Sequence, residues 1–176
     1  MTEIRYRKAK ELVTFRTGKL DSNAAEESGR YPFFTCAQET YLINKYAFDT
    51  ECVLLAGNNA GGIFPLKFYR GKFNAYQRTY ILTTDFGKLN TIEYVFLKIL
   101  IEQMLETLRS KSLGTLTRFL TMGILNPIVI ALPPLPEQTR IVQKLTELLS
   151  LCDRLESSLV AAKKVQGSLG EAVVGG

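Results

Sequence analysis

The sequence predicts an α/β (α+β) protein in which a domain with a mixed β-sheet is followed by a long C-terminal helix. In the first part of the chain, short runs of β-branched and aromatic residues alternate with glycine-rich turns, which is typical of strands. Three closely spaced prolines then break any regular element at Pro133, Pro134 and Pro136, and a heptad pattern follows. We therefore expect one domain over residues 1–136 and a helix over residues 137–176.

Five short segments predict the strands: residues 12–15, 31–35, 52–55, 79–82 and 128–130. The glycines and asparagines between them, such as Gly57-Asn58-Asn59, predict turns.

The apolar residues 92–108 predict a helix, because Asn90 and Glu93 have the spacing of a capping box. This run carries four charged residues, whereas a membrane span needs about 20 nearly uncharged ones. It is therefore expected to be a core helix.

An apolar heptad pattern predicts a coiled-coil helix from residue 137 to about 166. Pro136 suits the first helical position, and Glu137 follows where the helix dipole favours a negative charge. Apolar residues then recur at alternating spacings of four and three over about three heptads. This seam consists of Ile141, Leu145, Leu148, Cys152, Leu155, Leu159 and Ala162. It predicts pairing with another helix, either in a homodimer or with a partner subunit. The alternative is a helix folded flat on its own domain.

Glycines at 167, 170, 175 and 176 are expected to fray the end of the helix.

The composition argues against an enzyme. Histidine is absent, which removes the commonest general base and the usual imidazole metal ligand. The sequence has neither a P-loop nor the Asn/Asp-Pro-Pro-aromatic motif of amino-methyltransferases, since Asn126-Pro127 is followed by Ile128. We therefore predict no catalytic residue, no metal ligand and no cofactor.

The three cysteines, Cys36, Cys52 and Cys152, form no CxxC pair, and we expect all three to be small buried hydrophobes. Their scatter suits a reducing cytoplasm. The charged N-terminal residues lack the apolar stretch of a secretory signal, and none is expected.

The positive charge is concentrated in two windows. The net charge is +5, yet residues 52–84 and 107–136 contain no acidic residue and carry all of their charge as lysine and arginine. A nucleic-acid backbone is the usual partner of such basic surfaces. The alternative is a solvated basic face with no partner.

The residues around the proline boundary resemble the specificity subunits of type I restriction–modification systems. Residues 130–142 resemble the end of a target-recognition domain, where it enters a conserved helix, and residues 151–156 resemble a later part of that helix. Upstream, residues 15–19, 31–34 and 71–78 resemble the opening and the middle of that domain. The resemblance covers essentially the whole chain.

This resemblance implies a non-catalytic subunit that reads double-stranded DNA and docks methyltransferase (M) and restriction (R) subunits. Typical members have two recognition domains separated by paired helices, whereas this chain has one domain and one helix. It is therefore either a half-length subunit or a fragment of a longer one. A protein-interaction scaffold that uses the helix is the alternative, and the recognition half of a fused DNA methyltransferase comes third.

The candidate DNA-binding residues come mainly from the two basic windows. Lysine and arginine suit phosphates, while arginine pairs with guanine edges and asparagine or glutamine with adenine edges. The candidates are Lys19, Asn58, Asn59, Lys67, Tyr69, Arg70, Lys72, Asn74, Tyr76, Gln77, Arg78, Thr115, Thr117 and Arg118.

Within this set, Lys67, Arg70 and Lys72 are expected at phosphates, and Asn74, Gln77 and Arg78 at bases. Two alternatives stay open: the asparagines at 58 and 59 form only a hairpin turn, and Tyr76 packs in the core.

Overall fold

The computed structural model describes residues 3–84 and 92–174, with side chains described as far as residue 163. It divides the chain into two compact units, Met1–Gln138 and Thr139–Gly176. The functions expected of these units stay predictions. None of the helices in the described ranges is long and apolar enough to cross a membrane.

The first unit contains most of the secondary structure. In chain order the strands are β1 (Arg5–Lys8), β2 (Thr14–Thr17), β3 (Tyr31–Phe34), β4 (Tyr41–Ile43), β5 (Phe48–Ala56), β6 (Asn58–Ala60), β7 (Leu66–Ala75), β8 (Thr79–Thr83), β9 (Thr117–Phe119) and β10 (Val129–Leu132). The helices are α1 (Ala9–Leu12), α2 (Tyr94–Gln103), α3 (Leu105–Lys111), α4 (Met122–Leu125) and α5 (Leu135–Val174).

Within the described residues, a six-stranded mixed sheet has the order β2-β8-β5-β7-β3-β4. Strands β3 and β7 run parallel, and the other neighbours run antiparallel. Two smaller antiparallel pairs join β1 to β10 and β6 to β9. The predicted fold class, a mixed-sheet α/β domain followed by a long helix, is confirmed.

Strand β5 is buried on both faces of the sheet, because residues 52–56 are all apolar and successive side chains of a strand point to opposite faces. Cys52 and Leu54 pack with Phe73 and Ile81 in one cluster. On the other side, apolar residues of the sheet and of the helices line a shared core: Leu55, Leu82, Leu97, Leu108 and Leu125. Burial of each such side chain contributes about 1.5–3 kcal/mol.

The predicted strand segments lie in or beside strands, except that Leu12 ends helix α1 and β2 starts at Thr14. Strand β7 was not predicted from the sequence. Its charged residues and Gly71, which has a φ of 131°, conceal the apolar alternation that marks a strand.

The predicted helix over residues 92–108 is two helices. Helix α2 starts at Tyr94 and ends at Gln103, and α3 follows after Met104. The capping-box prediction is wrong because Glu93 precedes the helix as its N-cap, and no side-chain hydrogen bond caps it. Asn90 lies outside the described residues.

Helix α5 is longer than predicted. It begins at Leu135 rather than after Pro136. A proline is tolerated in the first turn because backbone N–H groups at that position have no hydrogen-bond partner within the helix, so the missing N–H of proline costs no helical hydrogen bond. It continues through Gly167 and Gly170 to Val174, so the predicted end near residue 166 is wrong. A glycine costs a helix only about 1 kcal/mol relative to alanine.

The cysteine prediction holds for one residue of three. Cys52 is fully buried, and burial raises the pKa of its thiol to about 12, helped by the nearby Glu51 carboxylate. Cys36 is half-buried and Cys152 is exposed, so the expectation is wrong for these two.

Candidate nucleic-acid interface

The two acid-free basic windows meet in a short antiparallel ladder. Asn58 lies opposite Phe119, Asn59 opposite Arg118, and Ala60 opposite Thr117. We call this pairing of β6 with β9 the ladder. It excludes the alternative in which the two asparagines form only a hairpin turn, because they belong to a strand.

Gly57 lets the ladder approach the turn between β7 and β8. Its N–H donates to the Arg78 carbonyl at 2.8 Å, and its carbonyl accepts from the Leu120 N–H at 2.8 Å. A Cβ at this position would lie 2.4 Å from the Arg78 oxygen, so only glycine fits without a shift. The turn that carries Gln77 and Arg78 is thereby fixed beside the ladder.

Three arginine side chains gather around the ladder. The Arg78 guanidinium lies 5.5 Å from the centre of the Phe119 ring. Arg109 and Arg118 both approach Gly62, where an added Cβ would lie 3.1 Å from the Cγ of each arginine. We call Arg78, Arg109 and Arg118 the arginine cluster.

Arg109 was not among the candidate residues predicted from the sequence. It lies in the basic window over residues 107–136, but its position on α3 hid its proximity to the ladder. The exposed Glu106 carboxylate is 4.0 Å from it, and such a surface pair contributes little. The Arg118 guanidinium also donates to the Ser112 carbonyl at 3.3 Å, which orients it.

A groove of about 580 Å³ adjoins the ladder and is lined by polar residues that include Asn58, Asn59, Tyr76 and Thr117. The Asn59 amide donates to the Cys36 carbonyl at 3.3 Å. Among the described side chains, the Asn58 Oδ1 atom is buried without a hydrogen-bond partner. A second cavity, of about 290 Å³, is lined by Thr17, Gln77, Arg78 and Tyr80. Polar groups therefore line two recesses next to the ladder, and Arg78 lines one of them.

The sequence matches the family described as the type I restriction modification DNA specificity domain over residues 1–162. The chain belongs to this family. The chain is 40% identical over 164 residues to the type I restriction enzyme EcoDI specificity subunit of Escherichia coli, in an alignment that covers 93% of this chain and 35% of that protein.

Two solved structures have a similar fold. The S subunit of a type I restriction–modification system from M. genitalium matches with a TM-score of 0.71 and 15% identity over 89% of this chain and 41% of that one. The HsdS subunit from Thermoanaerobacter tengcongensis matches with a TM-score of 0.66 and 18% identity over 88% and 39%. The chain thus spans about a third to two fifths of the length of these relatives. The predicted family is confirmed.

The side chains of two predicted DNA contacts, Asn74 and Tyr69, make contacts within the domain. Asn74 is buried: its Nδ2 donates to the Lys45 carbonyl at 2.9 Å, and its Oδ1 accepts from the Ala75 N–H at 2.9 Å. These contacts favour a structural role for Asn74, and its base contact stays a prediction. The Tyr69 ring packs 5.1 Å from the Phe34 ring, which favours a core role.

Lys67 also has partners within the domain. Its ammonium donates to the carbonyls of Glu39 and Ala37 at 2.8 and 3.3 Å, and to the Thr40 hydroxyl at 3.3 Å. Partial burial lowers the pKa of Lys67, an effect that the Glu39 carboxylate opposes. A phosphate contact by Lys67 stays a prediction, while its hydrogen bonds favour a role in holding residues 37–40.

The remaining predicted residues have varied surroundings. Gln77 is exposed and donates to the Asp21 carboxylate at 2.5 Å. Arg70 lies opposite Glu51 across β7 and β5, and the Lys72 ammonium is 4.8 Å from the centre of the Tyr46 ring. Lys19 and Thr115 are exposed. DNA contacts by all of these residues stay predictions.

The seam of α5 changes in exposure along its length. Ile141 and Leu145 are half-buried, whereas the distal leucines at 148, 155 and 159 are 48%, 57% and 63% exposed. Cys152 and Ala162 are exposed as well. Leu149 and Leu151 add further exposed apolar surface beside the seam. An exposed apolar face of this kind is typical of helices that pair with another helix.

Proposed function

We propose that this specificity domain reads double-stranded DNA as a non-catalytic part of a type I restriction–modification complex. In this role it directs methyltransferase and restriction subunits to a target in the cytoplasm. The observation that carries the proposal is the ladder itself, because it joins two basic windows from distant parts of the sequence into one surface. Family membership supports the same role.

The chemistry of this surface suits a duplex. The arginine cluster supplies cations for phosphates and paired donors for guanine, and Asn58 and Asn59 line the adjoining groove. The Phe119 ring beside Arg78 restrains the guanidinium by a cation–π contact. A restrained donor loses less conformational freedom when it binds.

We also propose that the seam of α5 pairs with a second copy of the chain. The exposed distal leucines support this idea, since burying them would remove apolar surface from water. Two-fold pairing would present two identical domains to DNA, and such a dimer reads an inverted-repeat target.

Selection of bound duplexes from a random pool, with the full chain and its methyltransferase subunit present, tests the DNA-reading proposal. We expect one enriched sequence, and we expect its affinity to fall as salt rises. Three phosphate contacts per copy would give a slope of about −3 in a plot of log affinity against log salt concentration. A pool without enrichment, together with normal binding of the methyltransferase subunit, would favour the scaffold alternative.

A further inference from the structure

The loop that leads into β9 carries an exposed apolar side chain at the end of the ladder. Leu116 is 87% exposed, and it directly precedes the pair formed by Thr117 and Ala60. The chain leaves β6 at this same end, where Ile63 is 68% exposed. A single exposed leucine is ordinary, but two exposed aliphatic residues beside a candidate binding surface indicate a contact site.

The backbone around Leu116 is held in place. The Gly61 N–H donates to the Leu116 carbonyl at 3.4 Å, and Leu113 and Phe119 exchange two backbone hydrogen bonds of 3.0 and 2.8 Å. Gly114 has a φ of 92°, and a Cβ there would lie 2.2 Å from the Thr117 oxygen. The exposure of Leu116 is therefore built into a closed loop.

The charged residues around Leu116 indicate what kind of partner its exposed side chain contacts. Arg109 and Arg118 lie beside Gly62, the residue that follows Gly61, and residues 107–136 contain no acidic residue. An apolar side chain flanked by two arginines, one of them within 4.0 Å of the exposed Glu106 carboxylate, complements a polyanion with an apolar interior better than an ordinary protein surface. Duplex DNA has this combination, with charged phosphates outside and stacked bases inside.

We propose that Leu116 acts as a wedge that enters a base step of the bound duplex while the two arginines hold the flanking phosphates. Leucine and isoleucine are used in this way by proteins that unstack and kink DNA. Flexible pyrimidine–purine steps open most easily, so the wedge would add a sequence preference without hydrogen bonds to bases. This inference rests on the proposed DNA-reading function and names a specificity residue for it.

The test uses the full chain and a duplex selected from the random pool, with 2-aminopurine placed at successive positions. We expect binding of the wild type to raise the fluorescence at one step, because 2-aminopurine brightens when it is unstacked. Leu116→Ala should abolish that rise and weaken binding by about tenfold, the effect of one lost leucine contact. Leu116→Phe should retain it. Leu42→Ala, which truncates an exposed leucine on β4, is the matched control.

Three results would overturn the wedge. In the first, the wild type binds a specific sequence, but 2-aminopurine fluorescence does not change and Leu116→Ala binds with normal affinity. This result would exclude the wedge and leave the DNA-reading function intact. Absence of sequence-specific binding by the wild type would remove both proposals. If Leu116→Ala binds DNA normally but no longer binds the methyltransferase subunit, Leu116 belongs to a protein-docking site instead. Matching unfolding curves for wild type and variant check that the fold is preserved.

Discussion

The Gln138 side chain accepts a hydrogen bond from the Glu93 backbone N–H at 2.9 Å and so ties the first turn of α5 to the start of α2. Its amide nitrogen donates to the Pro133 carbonyl at 2.8 Å, and the residue is fully buried. Gln138, which follows the three prolines of residues 133–136, therefore provides hydrogen-bond partners for two backbone groups at the boundary. This gives Gln138 a structural role at the start of α5.

Replacing Gln138 by methionine should destabilise the first unit by about 2–3 kcal/mol, because two backbone groups would lose their partner at similar side-chain volume. Urea unfolding measures the difference. Gln143→Met, at an exposed position of the same helix, is the control and should change stability little. Equal unfolding midpoints for the two variants would contradict the anchoring role.

Local patterns predicted the long helix and parts of β2, β3, β5, β8 and β10, but not the residues that long-range pairing brings together. The asparagines at 58 and 59 look like turn residues, and only pairing with residues 117–119 makes them a strand. Arg109 approaches the ladder at Gly62, a proximity that no local pattern shows. For Lys67 the sequence showed only the charge that suits a phosphate, and it could not show the three acceptors that the fold supplies.

Lys67→Met should loosen residues 37–40 and leave the salt dependence of DNA binding unchanged. Its ammonium already donates to two carbonyls and a hydroxyl of that segment. Hydrogen exchange should therefore speed up there. Lys19→Met is the comparison, since loss of a phosphate contact lowers the salt slope by about 1. A lower slope for Lys67→Met with unchanged exchange would restore it as a phosphate contact.

Arg78→Ala and Arg118→Ala should each alter the preferred DNA sequence, because each removes a restrained guanidinium from the ladder surface. The expected loss is about 1–3 kcal/mol at one position of the target. Binding to a panel of single-base variants of the selected duplex measures it. Arg5→Ala and Arg7→Ala remove the same charge from exposed positions of β1. If these controls weaken binding equally, the ladder has no special role.

Cys52 should make the domain less stable as the pH rises above 9. In the folded state burial raises its pKa to about 12 from an ordinary 9.0, so the unfolded chain loses the proton first. The stabilisation is thus complete below pH 9 and is lost as the pH rises towards 12, with a slope of up to about 1.4 kcal/mol per pH unit. Urea unfolding at a series of pH values measures the free energy of unfolding. Cys52→Val should reduce its decrease above pH 9, whereas substitution of the exposed Cys152 by valine should not. Parallel curves for wild type and Cys52→Val would contradict this prediction.

Leu148→Glu together with Leu155→Glu should convert a dimer of this chain into a monomer. Both leucines are exposed in the single chain, and pairing of two seams would bury a carboxylate at each position without a partner. Ser150→Glu with Ser157→Glu adds the same charge to exposed positions of the helix outside the seam, and it should leave the dimer intact. Sedimentation equilibrium of the wild type and both variants measures the association. A wild type that stays monomeric at high micromolar concentration would exclude self-association, and the exposed leucines would then be a docking face for a partner's helix.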